Sequence, residues 1–87
     1  MTQEEIGQIV SAFISKNFLF DESKKLGEDD SLLGSGAIDS TGILELITFL
    51  ESTFRLKFDD KELVAENFDS IARIKSFVAS KLNHRTQ

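Results

Sequence analysis

The sequence predicts an all-α fold, a four-helix bundle of three main helices and a short third one, with a long loop between the first two. Three observations predict it. Apolar residues recur at three- and four-residue spacing in three separate segments. No stretch alternates apolar and polar residues as a half-buried strand would. Each helical segment is preceded by a residue able to cap it. At 87 residues the chain is expected to form one domain, 1–87, with its core over about 2–82.

The first helix is predicted over Thr2–Lys16. Thr2 followed by Glu5 is a capping box, because the hydroxyl and the carboxylate can each take a backbone N–H of the other. Ile6, Ile9, Val10, Phe13 and Ile14 form its apolar stripe. Asn17 to Phe20 ends it, with Phe18 and Phe20 packing back. Asp21–Asp39 is then a 19-residue polar connection containing Gly27, Gly34 and Gly36. Leu26, Leu32, Leu33 and Ile38 are expected to pin it to the core. Loops of this length in compact domains are often functional. It is not a calcium loop: Lys25 would fall on a ligand position, Leu26 on the glycine position and Leu32 on the closing glutamate.

Ser40–Phe54 is the second helix, with Ile43, Leu46, Ile47, Leu50 and Phe54 as its core stripe. Leu44 and Phe49 widen the stripe beyond half the girth, so this helix should be the central packing element. Asp59 or Asp60 caps a short third helix near Lys61–Glu66. Asp69-Ser70 caps the fourth, whose Ile71, Ile74, Phe77, Val78 and Leu82 share a face. Asn83–Gln87 reads as a frayed polar tail.

Composition excludes several function classes. There is no cysteine, hence no disulfide and no thiolate metal site. No apolar run is long enough to span a bilayer. The start, Met-Thr-Gln-Glu-Glu, lacks the basic and apolar regions of a secretory signal, so a cytoplasmic protein, expected to be monomeric, is the reading. Net charge is −5, but Asp21–Asp69 holds 13 acids against 5 bases, while the flanks are net basic. An acidic middle repels nucleic acid and attracts basic partners. A helix-turn-helix DNA binder needs a basic recognition face, and the second helix is net acidic.

Asp39-Ser40-Thr41 stands where the polar loop meets the second helix. A catalytic triad is excluded because the one histidine, His84, lies in the tail. No phosphate-binding glycine loop, nucleophile elbow or metal-ligand cluster is present. Two readings of Ser40 stay open. It can cap the helix, as Asp39 equally can. It can also present an exposed hydroxyl at the positive end of the helix, where an attached anion is favoured. Gly42, costly in a first turn, could leave room beside Ser40.

The span "LLGSGAIDSTGILELITFLESTFRLKF" resembles the heart of the acyl carrier and peptidyl carrier protein family. The match runs through Gly36 to Ser40, Leu44 to Leu46, Leu50-Glu51 and Phe54, and continues in "LVAENFDSIARIKSFV". Asp-Ser alone is unspecific; the whole ordered span is highly specific. The resemblance implies a discrete, stand-alone carrier of four helices, itself not a catalyst. It implies that Ser40 receives 4′-phosphopantetheine from coenzyme A through a separate phosphopantetheinyl transferase using Mg²⁺. Asp39 would help place the serine and that metal. The arm's thiol would hold an acyl or aminoacyl group as a thioester, which accounts for thiol chemistry in a chain without cysteine. A loading ligase and downstream synthases or transferases are the further partners implied, in fatty-acid, polyketide, nonribosomal-peptide or related biosynthesis. Thr41, Leu44, Glu45 and Glu51 are the candidate partner-binding residues, whereas Ile43 and Ile47 are expected in the core.

Two departures stand out. The family usually has leucine after the serine, and here it is the smaller, polar Thr41. Gly42, Ser52, Thr53 and Arg55 hold positions often acidic in fatty-acid carriers, which points to a specialised carrier in a biosynthetic or aminoacylation pathway. The alternative is an unmodified acidic helical interaction module that binds a basic protein.

Overall fold

Three α-helices and two 3₁₀ turns make up the secondary structure of a computed structural model that describes residues 2–18 and 27–85, the last two by backbone alone. No strand occurs among the described residues. The expectations for Phe20 and Leu26 lie outside them.

Helix α1 spans Gln3–Asn17. The capping box forms as its residues require: the Thr2 hydroxyl accepts the Glu5 N–H at 3.1 Å, and the Glu5 carboxylate accepts the Thr2 N–H at 3.1 Å. These bonds from Thr2 hold the Glu5 carboxyl below its ordinary pKa. Ile6, Val10 and Ile14 are buried on the inner face. Helix α2 spans Ser40–Phe54, as predicted, and ends on Arg55 in the left-handed region at φ 54°. Helix α3 spans Ile71–Arg85. The expected fraying from Asn83 is not found as far as Arg85, since neither glycine nor proline stands there to stop the helix.

Two expectations are corrected. The short third helix near Lys61–Glu66 resolves into two 3₁₀ turns, Asp60–Glu62 and Ala65–Asn67, with Leu63 and an extended Val64 between them. The reason is local competition. The Asn67 side-chain amide donates to the Glu62 carbonyl at 2.9 Å, replacing a helical backbone donor, and six residues are too few to offset the cost of nucleating an α-helix. The three α-helices and these turns therefore replace the predicted four helices. Second, α2 does not hold the closest backbone packing. That belongs to α1 and α3. Gly7 permits it, because a Cβ there would lie 3.2 Å from the Lys75 Cδ of α3. Helix α2 instead fills the core with long side chains: Leu46 and Leu50 are fully buried and Phe54 nearly so.

Phenylalanines bridge the remaining space. Phe13 of α1 stacks on Phe49 of α2 with ring centres 3.9 Å apart. Phe58, Phe68 and Phe77 form a second cluster with centres 5.2–5.8 Å apart. Core filling is thus the role of these rings.

The segment before α2 is tied to the start of α3. Ala72 donates its N–H to the Glu28 carbonyl at 2.9 Å, and Lys75 forms an ion pair with Glu28. Leu32 and Ile38 are buried, as expected of the loop's apolar pins, and Leu33 is half-buried. This anchorage sets where the chain enters α2.

Candidate functional site

The entry to α2 is built from three local choices. Gly36 adopts φ +80°, which a side-chain-bearing residue avoids, and turns the chain inward. Ile38 then drops into the core and donates its N–H to the Leu32 carbonyl at 3.1 Å. Asp39 follows with extended backbone, and its carboxylate accepts the Gly42 N–H at 2.7 Å. Of the two residues able to cap α2, Asp39 does so. Ser40 is the first helical residue, exposed, and its hydroxyl has no partner among the described residues.

The glycine at position 42 has a different reason from space beside Ser40. A Cβ there would lie 2.7 Å from the Ile38 Cγ2 and 2.9 Å from the Phe18 ring. Its missing side chain lets the loop and the end of α1 close against the first turn of α2. Phe18 packs back as expected, edge-on to Phe13 at 5.8 Å.

Ser40 lies at the rim of an apolar groove of about 280 Å³. Ile43, Leu44 and Ile47 line one side, Leu63 and Val64 the other, and the fully buried Phe68 forms the floor. Ile43 and Ile47 are core residues with only an edge in the groove. Leu44 is 64% exposed, in keeping with its place off the main stripe. Thr41 and Glu45 are exposed on the adjoining face. Glu51 differs: it is half-buried and its carboxylate accepts the Phe58 N–H at 3.1 Å, so it also holds the chain after α2. It stands eleven residues from Ser40, about 16 Å along the helix.

The segment carrying Leu63 and Val64 is fixed by Glu62. One oxygen of that carboxylate accepts both Lys81 Nζ at 2.8 Å and the Asp59 N–H at 2.7 Å. Lys81 chiefly, then Asp59, holds the Glu62 carboxyl below its ordinary pKa. Asp69, read as a helix cap, works elsewhere. Its carboxylate accepts the Leu33 N–H at 3.0 Å and the Ser31 hydroxyl at 2.7 Å, and these two bonds hold its pKa down. Ser70 caps α3, accepting the Arg73 N–H at 3.1 Å.

No family model matches the chain. Curated relatives do. D-alanyl carrier proteins of Streptococcus pyogenes serotype M5 (strain Manfredo), serotype M49 (strain NZ131) and serotype M1 are each 33% identical over 69 residues. The match covers 79% of this chain and 85% of each relative. The chain belongs to the carrier protein family. A carrier holds cargo for chemistry done by other proteins and is not itself an enzyme. The carrier's described residues contain no group of three or more metal-ligating side chains, and none of its described helices is long and apolar enough to cross a membrane.

What the α2 entry can do chemically follows from its geometry. With Asp39 engaged on Gly42, the N–H groups of Ser40 and Thr41 have no acceptor among the described residues. They lie at the positive end of a 15-residue helix. An anion joined to the Ser40 oxygen would therefore be stabilised by the helix end. The groove beside it would shelter an apolar chain. Leu63 and Val64 were missed in the sequence, although two adjacent apolar residues within a polar stretch are the signal that could have found them.

Proposed function

We propose that Ser40 carries a 4′-phosphopantetheine arm and that the carrier holds an aminoacyl group on it. The observation that carries the reading is the Ser40 hydroxyl: exposed, unengaged among the described residues, relieved of capping by Asp39, and set at the rim of an apolar groove. A phosphopantetheinyl transferase, with Mg²⁺, would join the phosphate of the arm to the Ser40 oxygen, with coenzyme A as donor. Asp39 both orients the serine, through its bond to Gly42, and offers its second oxygen toward the transferase's metal. The arm supplies a terminal thiol that holds cargo as a thioester.

The groove residues Ile43, Leu44, Leu63 and Val64 would lie along the arm as it leaves Ser40. Thr41, Leu44 and Glu45 form the exposed face that the transferase and loading ligase would meet, with Glu51 at its far edge. The D-alanyl name of the relatives supports D-alanine as cargo. The cytoplasm, where coenzyme A and such a transferase are at hand, is the proposed location.

Intact mass spectrometry tests the reading. The chain is incubated with coenzyme A, Mg²⁺ and a broad-specificity transferase, and Ser40→Ala is run beside it. One phosphopantetheinyl group on the parent and none on the variant is expected. An unmodified parent, with a control carrier modified in the same tube, would leave the unmodified interaction module in its place. Thr41→Leu should speed modification by restoring the apolar contact usual after the serine.

A further inference from the structure

The carboxyl end of α2 presents a second surface that the carrier reading does not use. Arg55 is the one non-glycine residue at positive φ among the described residues, at a position where helices commonly place glycine. Retaining arginine there carries a conformational cost that glycine would avoid. Its side chain is exposed and has no partner among the described residues, and the same holds for Lys57. Nor are these cations needed to satisfy the helix end. The Glu51 carbonyl already accepts the backbone N–H groups of Arg55 and Leu56. Arg55, Leu56 and Lys57 form one wall of an open groove of about 480 Å³, and Phe77 and Lys81 of α3 line it too. Lys81 is paired with Glu62, the one acid lining the groove, and stands 5.5 Å from the Phe58 ring centre. Within a region that is otherwise acidic, the groove is net cationic.

We propose that this groove docks an acidic segment of a partner protein, one bearing two or more carboxylates. The planar guanidinium of Arg55 suits a carboxylate fork, Lys57 supplies a second charge on the same wall, and the edges of Leu56 and Phe77 suit the apolar stems between. A membrane surface fits less well: electrostatic attachment draws on clusters of roughly 4–8 cations, and three in a chain of net charge −5 fall short. Ser40 and Arg55 are at opposite ends of α2, about 22 Å apart along its axis. A protein that works on cargo at Ser40 can therefore hold both ends of the helix. Only that last identification of the partner rests on the carrier reading.

The test titrates the ¹⁵N-labelled full chain with a hexaglutamate peptide and follows amide shifts. Saturable shifts centred on Arg55, Leu56, Lys57 and Lys81 are expected. They should weaken at least ten-fold in Arg55→Gln/Lys57→Gln and be unchanged in Lys16→Gln. Unchanged shifts elsewhere in the double variant establish that it is folded. Equal shifts at every lysine and arginine, or none, would overturn the proposal. Sedimentation with phosphatidylglycerol vesicles that depends on Arg55 and Lys57, without peptide binding, would overturn it in favour of a membrane. Pantetheinylation of the same samples, read by mass, reports separately on Ser40, so the two readings fail independently.

Discussion

Replacing Gly42 by alanine should destabilise the carrier, although alanine is the better helix former. The added Cβ would meet the Ile38 Cγ2 at 2.7 Å and the Phe18 ring at 2.9 Å, where carbon atoms rest comfortably at about 3.5–4.0 Å. Relief needs a shift of roughly 1 Å by one or both neighbours. Ile38 is only 2% exposed and cannot swing outward, and Phe18 is held edge-on against Phe13. Overpacking of this kind costs about 1–3 kcal/mol, and two contacts under 3.0 Å place this case at about 2–3 kcal/mol, of which the helix-propensity gain of alanine over glycine offsets about 1 kcal/mol. A net loss of about 1–2 kcal/mol follows, and in a domain this small each kcal/mol lowers the Tm by about 4–8 °C. Urea and thermal unfolding, followed by circular dichroism, measure it. An unchanged or higher Tm, with slower modification of Ser40 alone, would refute the packing account and return Gly42 to the role of leaving room beside Ser40.

Other changes bear on the same frame. Asp39→Ala should cost about 1 kcal/mol by removing the α2 cap, in urea unfolding, and should also slow modification of Ser40. Arg55→Gly should raise stability by about 0.5–1 kcal/mol, because glycine tolerates the left-handed end of α2 while losing more freedom on folding; the same urea titration reads it. Asp69 has a pKa depressed in the folded state by Leu33 and Ser31, so its contribution is complete above its ordinary value of 3.8 and is lost as pH falls through its lower folded value. Tm measured from pH 5 downward should therefore drop more steeply for the parent than for Asp69→Asn, which starts less stable.

Much of α2 was readable in advance because its determinants are local. Asp39 caps, the apolar positions recur at helical spacing, and both ends of Ser40–Phe54 come out as expected. The capping box at Thr2 and Glu5 was readable for the same reason. What escaped depends on contacts across the fold. Asp69 looks like a cap from its neighbours, yet its carboxylate reaches Ser31 and Leu33, more than 30 residues away in sequence. Gly42 looks like a loosened first turn until Ile38 and Phe18 are seen against it. The segment from Lys61 to Glu66 has helical composition, but the Asn67 side chain and the Asp59–Glu62 exchange draw it into two tight turns. That rearrangement exposes Leu63 and Val64 beside Ser40, so the far wall of the groove was hidden as well. For the candidate site, Ser40 was legible as the candidate and the reason its hydroxyl is unengaged was not: only the structure separates the capping work of Asp39 from the idle hydroxyl of Ser40.

The central claim is that Ser40, and no other hydroxyl, receives the arm. After treatment with coenzyme A, Mg²⁺ and the transferase, proteolysis and tandem mass spectrometry of the modified chain locate the added group. The account predicts a single modified peptide with the phosphopantetheinyl group on Ser40 and with Ser35 and Thr41 bare. A group found on another serine or threonine, or a parent chain left unmodified beside a modified control carrier, would contradict it.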